Sequence, residues 1–203
     1  MYNSRVNIVS PRTPGQRAGL SHTTVLLAAR ELLAKRGLAG LTMRALADHL
    51  GVSPNALYSH VATKSALIDD LLDDVLGAVV VPNPDEVDSR EGLRLLMHST
   101  YVVLLDHPDL VPMYLVRHGA RGANAHHLGD VMTTLLNRGG VSRGRAREAQ
   151  RALIIHAISS AAYAGVVLHT SAGNERKGHS RAELTRTFDH GLDWLLTGIF
   201  SAE

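Results

Sequence analysis

No cysteine occurs in the 203 residues, which excludes a disulfide framework and any thiolate metal site. Aromatic residues make up only 4% of the chain. Aliphatic side chains must therefore do the packing, which suits helix on helix better than a β-sandwich. No apolar run approaches the ~20 residues that a membrane-spanning helix needs; "GAVVVP" and "LLAAR" are typical of the longest. The N-terminus also lacks the apolar core of a signal peptide. These absences set the first expectations: an all-α, cytoplasmic protein with no membrane partner, as one large domain or a small one joined to a larger.

The charge present is unevenly placed. Residues 1–65 hold eight Lys/Arg (Arg5, Arg12, Arg17, Arg30, Lys35, Arg36, Arg44, Lys64) against Glu31 and Asp48, a net of +6, whereas the remainder holds 13 basic and 17 acidic residues, a net of −4. A basic end on an acidic body suits a polyanionic partner, although an ordinary solvated surface fits so small an excess equally well.

Residues 1–19, with Pro11, Pro14, Gly15 and Gly19 and no apolar period, read as a disordered arm. Ser21 then caps a helix to Arg36, stopped by Gly37. Thr42 caps a second, Met43 to Leu50, ended by Gly51. Ser53-Pro54 opens a third that ends near His60, since Ser is a good N-cap and Pro at the first helical position loses only an unpartnered N–H. A fourth runs from Lys64 to about Val79, its "LIDDLLDDVL" giving one apolar and one acidic face. Pro82 and Pro84 break the chain. Beyond them the pattern stays helical: about 93–105, a short helix from Pro108 to about His118, 123–138, Ser142 to about Thr170, and 181–200, with a polar loop "SAGNERKGHS" before the last. The expected domains are the arm 1–19, a three-helix domain over 20–65, and a larger helical domain over 66–203, with helix 64–79 as connector.

Two short helices joined at Gly51 within a bundle of three form a helix-turn-helix, whose second helix enters the major groove by its N-terminal residues. Gly51 permits the tight turn, small Ala47 and branched Val52 permit close packing, and Ser53-Pro54 fixes where the reading helix begins. Tyr58, His60 and Lys64 supply donors of the kind that hold phosphates.

The stretch "LTMRALADHLGVSPNALYSHVATKSAL" resembles the N-terminal domain of the TetR family of bacterial transcriptional repressors, with "LGVS…LY.HV..K..L" similar to the tetracycline-repressor branch. The resemblance is specific over about residues 22–76; past that, only helix number and order match. It implies that Thr42 and Arg44 contact the DNA backbone or outer bases. By the same match Ser53, Pro54, Asn55 and Ala56 start the recognition helix, Ser59 faces the groove, and Tyr58, His60 and Lys64 hold phosphates. Ser59 stands where the tetracycline repressor carries a large aromatic, so that operator is not implied. The resemblance also implies a C-terminal domain that dimerises and holds a small-molecule inducer. At the places that match the repressor's chelate-binding residues this chain offers Val80, Met97 and Tyr114, so a magnesium–tetracycline chelate is not expected.

Polar residues set into apolar faces after residue 90 are the candidates for an inducer site: Met97, Thr100, Tyr101, Tyr114, His118, His156, Ser159 and Tyr163. Each can also be a satisfied core residue. Such a set suits an organic, largely apolar inducer. Ile154, Ala157, Ile158, Ala161, Ala162 and Gly165 repeat at helical spacing and are mostly small. With Leu184, Phe188, Leu192, Leu195 and Ile199 they are the expected homodimer seam. His126, His127 and Asp130 have a metal-like spacing, but no H-E-x-x-H or equivalent accompanies them, and the expectation is no metal, no cofactor and no catalysis. Arg143, Arg145, Arg147 and Arg151 read as a solvated helix start. The expected function is a ligand-responsive repressor that binds a palindromic operator as a homodimer. Its rivals are a small helical metal-dependent hydrolase built on the later histidines and a regulator answering to a protein partner.

Overall fold

The computed structural model describes residues 20–171 and 179–201. The expected arm 1–19 and most of the loop "SAGNERKGHS" lie outside the described residues. Nine helices and no strand occur among the described residues: α1 (His22–Gly40), α2 (Met43–Leu50), α3 (Pro54–Tyr58), α4 (Lys64–Leu76), α5 (Ser89–Leu105), α6 (Val111–Val116), α7 (Ala123–Arg138), α8 (Arg143–Ser171) and α9 (Arg181–Ser201). The chain divides into two compact units that meet between Lys64 and Ser65.

The smaller unit is built by its caps. The Ser21 hydroxyl accepts from the Thr24 N–H at 3.1 Å, the Thr42 hydroxyl from Ala45 at 3.1 Å, and the Ser53 hydroxyl from Ala56 at 3.2 Å. Each satisfies one of the N–H groups a helix start leaves unpaired. Gly37 sits at φ 64°, ψ −179° and breaks α1, so residues 38–40 form only a final separate turn. Gly51 adopts the left-handed conformation (φ 64°, ψ 33°), and the Val52 N–H returns to the Ala47 carbonyl at 3.0 Å. A side chain at Gly51 would be strained by its backbone alone. Val25, Ala29, Leu32, Leu41, Leu46, Ala47, Leu57 and Val61 are buried in the described structure.

In the larger unit α8 is central, packing against α5, α6, α7 and α9. By length and composition it is apolar enough to cross a membrane, which corrects the expectation that no segment reaches that length. Four helices pack on it instead, as on the core helix of a helical body. The Phe188 ring is sandwiched between Tyr101 (centroids 4.1 Å apart) and His156 (4.8 Å), and a His156 ring nitrogen donates to the Phe188 carbonyl at 3.0 Å. Burial raises the Tyr101 phenol above its ordinary pKa, so it stays neutral. His98 meets Asp189 at 2.7 Å, tying α5 to α9.

Six residues of the expected homodimer seam are covered by the packing of the single chain. Ala157, Ile158, Ala161, Leu184, Phe188 and Leu192 are buried within the single chain, because they face α5 and the α8–α9 contact. Ile154 is half-buried and Gly165 approaches Pro108. Ala162, Leu195 and Ile199 are partly exposed. The face that α8 and α9 leave uncovered carries other residues: Ile155, Tyr163, Val166 and Trp194, at 53%, 62%, 64% and 75% exposure.

Phe188→Ala tests the assignment of the sandwich to the protomer core. Removing a ring stacked on both faces should cost about 3–5 kcal/mol, seen as a large fall in urea midpoint. A wild-type midpoint would return Phe188 to the surface.

The fourth helix ends at Leu76, short of Val79, because the chain there turns through Gly77 and Ala78, whose N–H groups reach back only three residues. α6 begins at Val111, three residues after Pro108. Its end is held to α4, where the Tyr114 hydroxyl donates to the Leu72 carbonyl at 2.5 Å and Arg117 pairs with Asp69 at 2.5 Å. Asp73 caps α7, accepting from the Asn124 and Ala125 N–H groups at 3.1 and 2.9 Å. A Cβ on Gly122 would collide with the Asp73 carboxylate, so the cap as built leaves room only for glycine there. The acidic face of α4 thus ties down α6 and α7.

Candidate functional site

Two features stand out, each within one unit. In the smaller unit, α3 begins with Pro54 in its first turn and presents Pro54, Asn55, Tyr58 and Ser59 outward, with His60 just beyond; Ala56 is half-buried and Leu57 anchors the helix from beneath. Ser59 does not reach outward with its hydroxyl, which donates to the Ala56 carbonyl at 2.7 Å. Asn55 carries a fork of donor and acceptor that can pair with the edge of adenine. Lys64 is half-buried at the start of α4.

Beside α2 lies an open groove lined by Arg36, Thr42, Arg44, Ala45, Asp48 and His49. His49 meets Glu31 at 3.0 Å. Thr42 and Arg44 were expected at an interface; Arg36 and His49 were not. The signal for Arg36 was its place in the last full turn of α1, just before the break at Gly37.

The larger unit holds a partly open cavity of about 160 Å³. Its wall is mostly apolar, from Leu76, Leu96, Met97, Leu104, Leu128, Met132, Ile154, Ala157 and Ile158, with Thr100, Tyr114, His118 and Gln150 as polar members. Of the expected inducer contacts, Met97, Thr100, Tyr114 and His118 line it together. The other four do not. Tyr101 and His156 pack on Phe188, while Ser159 and Tyr163 are exposed. Two residues on one helix at apolar-looking positions can face opposite sides when that helix is apolar nearly all round. Gln150 was missed: it lies one to two turns before Ile154 and Ala157, on the face they share. His118 has a positive φ of 58°, unusual for a side-chain-bearing residue, which places it in the cavity wall next to Gly119. Val80 is exposed and outside the wall, its N–H bound to the Ser99 hydroxyl at 2.8 Å.

His126, His127 and Asp130 are all exposed on α7, and among the described residues no group of three or more His, Asp or Glu is gathered as for a metal.

A capped helix-turn-helix in a basic unit, followed by a helical unit with an apolar cavity, defines the class of helix-turn-helix transcriptional regulators. Known proteins place the chain more narrowly. The family described as "Bacterial regulatory proteins, tetR family" matches over residues 25–71. An HTH-type transcriptional regulator of Saccharopolyspora erythraea is 30% identical over 91% of this chain and 76% of its own length. The class A tetracycline repressor protein from transposon 1721 of Escherichia coli is 33% identical over 78% of this chain and 71% of its own. The crystal structure of Mycobacterium smegmatis BioQ is similar at 26% identity and a TM-score of 0.77, covering 90% of this chain and 99% of that one. The chain belongs to the TetR family of transcriptional regulators, and is a regulator, not an enzyme.

Proposed function

We propose that the protein is a ligand-responsive repressor, acting in the cytoplasm as a homodimer on a palindromic operator and released by a small, largely apolar organic inducer. The observation that carries the DNA half is the start of α3. Ser53 and Pro54 fix the helix origin, so Asn55 and Tyr58 project from a defined position. Asn55 is the base reader in this reading. Tyr58, His60 and Lys64 hold phosphates, as do Arg36, Thr42 and Arg44 along their groove. The ligand half rests on the cavity, whose Met97, Thr100, Tyr114 and His118 were candidates on chemistry alone.

Induction follows from linkage: a ligand that binds one conformer better shifts the population toward it. α4 carries the chain from one unit into the other, and its Asp69 and Asp73 hold α6 and α7, whose residues line the cavity. A ligand that displaces α6 or α7 therefore pulls on the helix that begins with Lys64. A magnesium–tetracycline chelate remains the wrong inducer in this reading, since Met97 is a poor ligand for a hard cation.

The test selects an operator from random duplex DNA with the full chain, then measures affinity against salt. Lys64→Ala should weaken all sequences about equally and reduce the salt slope by about 1. Asn55→Ala should relax preference at one base pair in each half-site, by about 1–3 kcal/mol. Failure to enrich a two-fold sequence would sink the proposal.

A further inference from the structure

We infer that the cavity takes a single-ring compound bearing a hydroxyl group, in preference to a cation or to a compound that offers only an ether oxygen or no polar group. This inference rests on the reading of the cavity as the inducer site and adds the chemistry of the inducer.

Size comes first. A volume of about 160 Å³ is close to the ~150 Å³ of an engineered apolar cavity that holds benzene. It lies below the ~300–1,000 Å³ of sites for drug-sized ligands. One ring fits that space, whereas a fused tetracycle would have to extend out through its open side.

Charge comes next. No Asp, Glu, Lys or Arg lines the cavity among the described residues. His118 is the one basic side chain in the wall, so a cation inside would have no partner of opposite sign and would keep much of its desolvation cost. The ligand is therefore not a cation.

Hydrogen bonding then selects the polar group. The Thr100 hydroxyl donates to the Leu96 carbonyl at 2.8 Å, and the Tyr114 hydroxyl donates to the Leu72 carbonyl at 2.5 Å. The Gln150 amide turns its nitrogen to the Gly129 carbonyl at 3.2 Å, which fixes its orientation, because only an N–H can face a carbonyl. Both hydroxyl protons of the wall are thus committed to backbone. What Thr100 and Gln150 offer a ligand is chiefly lone pairs, with the second amide N–H of Gln150 as the one remaining donor between them. A ligand hydroxyl both donates and accepts, so it matches this set. An ether oxygen only accepts: it can take a proton from the His118 ring or from the second Gln150 N–H, but it leaves the lone pairs of Thr100 and Gln150 without a donor.

Phenol, anisole, toluene and benzylammonium are suitable probes, being similar in size and different in donor and charge. Titrated calorimetrically into the full chain, phenol should bind about tenfold more tightly than anisole or toluene, and benzylammonium should not bind detectably. A site that hydrogen-bonds a hydroxyl discriminates against the analogue lacking it. Thr100→Val with Gln150→Leu should bring phenol and anisole to within about twofold while toluene still binds, which shows the variant to be folded. Ala125→Leu, filling the cavity from a half-buried position, should abolish binding of all three neutral probes. If anisole or benzylammonium matches phenol in the wild type, the inference fails and the cavity remains a ligand site. If no probe binds the wild type, or if Ala125→Leu leaves binding unchanged, the inference and the reading of the cavity both fall.

Discussion

Ala161→Glu is expected to unfold the larger unit instead of dissociating a folded dimer. Ala161 lies midway along α8 and is 1% exposed, so a carboxylate there has neither water nor a cation beside it. Burying an unpaired charge costs several kcal/mol, a large share of the about 5–15 kcal/mol that holds a domain together. Protonation would relieve part of this at the cost of a large upward pKa shift. The extra volume adds strain in a helix packed against α5 and α9. Thermal melting by circular dichroism should show a transition far below that of the wild type, with loss of soluble protein on expression. A variant with wild-type melting that sediments as a monomer would mean that Ala161 does face a partner chain after all.

The contrast between that residue and its neighbours shows where sequence reasoning reached its limit. Short-range signals were legible because their physics is short-range. Ser21, Thr42 and Ser53 cap the helices they were expected to cap, Gly37 and Gly51 break where a positive φ was required, and α7 has the bounds its periodicity implied. The limits of α4 and α6 moved by about a turn, since in those places the ends are set by tertiary hydrogen bonds such as Tyr114 to Leu72. The rotation of α8 was not legible. Its residues are apolar or small nearly all the way round, so a 3.6-residue period selects no unique face. Ala157 and Ala161 look like a close-packing seam in one reading and like core in another. The arrival of α5 and α9, from distant parts of the chain, decides between them. His156 was drawn away from the cavity for the same reason: Phe188, 32 residues later, offers it both a ring face and a carbonyl.

The uncovered face of α8 and α9 carries the second large effect. Ile155, Ser159, Tyr163 and Val166 follow a helical period along α8 and share one side of it, and Trp194 stands out from α9. Under the proposed homodimer, these exposed apolar side chains are the residues that the second copy would cover. In a two-fold dimer every such residue acts twice, and each buried side chain contributes up to about 1.5–3 kcal/mol. Ile155→Glu combined with Val166→Glu puts four carboxylates into that contact per dimer while leaving the protomer core untouched. The variant should keep its helix content and melt cooperatively, yet sediment as a monomer at concentrations where the wild type is dimeric. Its affinity for a palindromic operator should fall by about 10²–10⁴-fold, because the second half-site is no longer bound intramolecularly. Affinity for an isolated half-site should not change. Sedimentation of the wild type as a monomer at micromolar concentration would defeat the proposed dimer. So would an undiminished operator affinity in the folded double variant, since α3 would then be reading its operator without a partner's help.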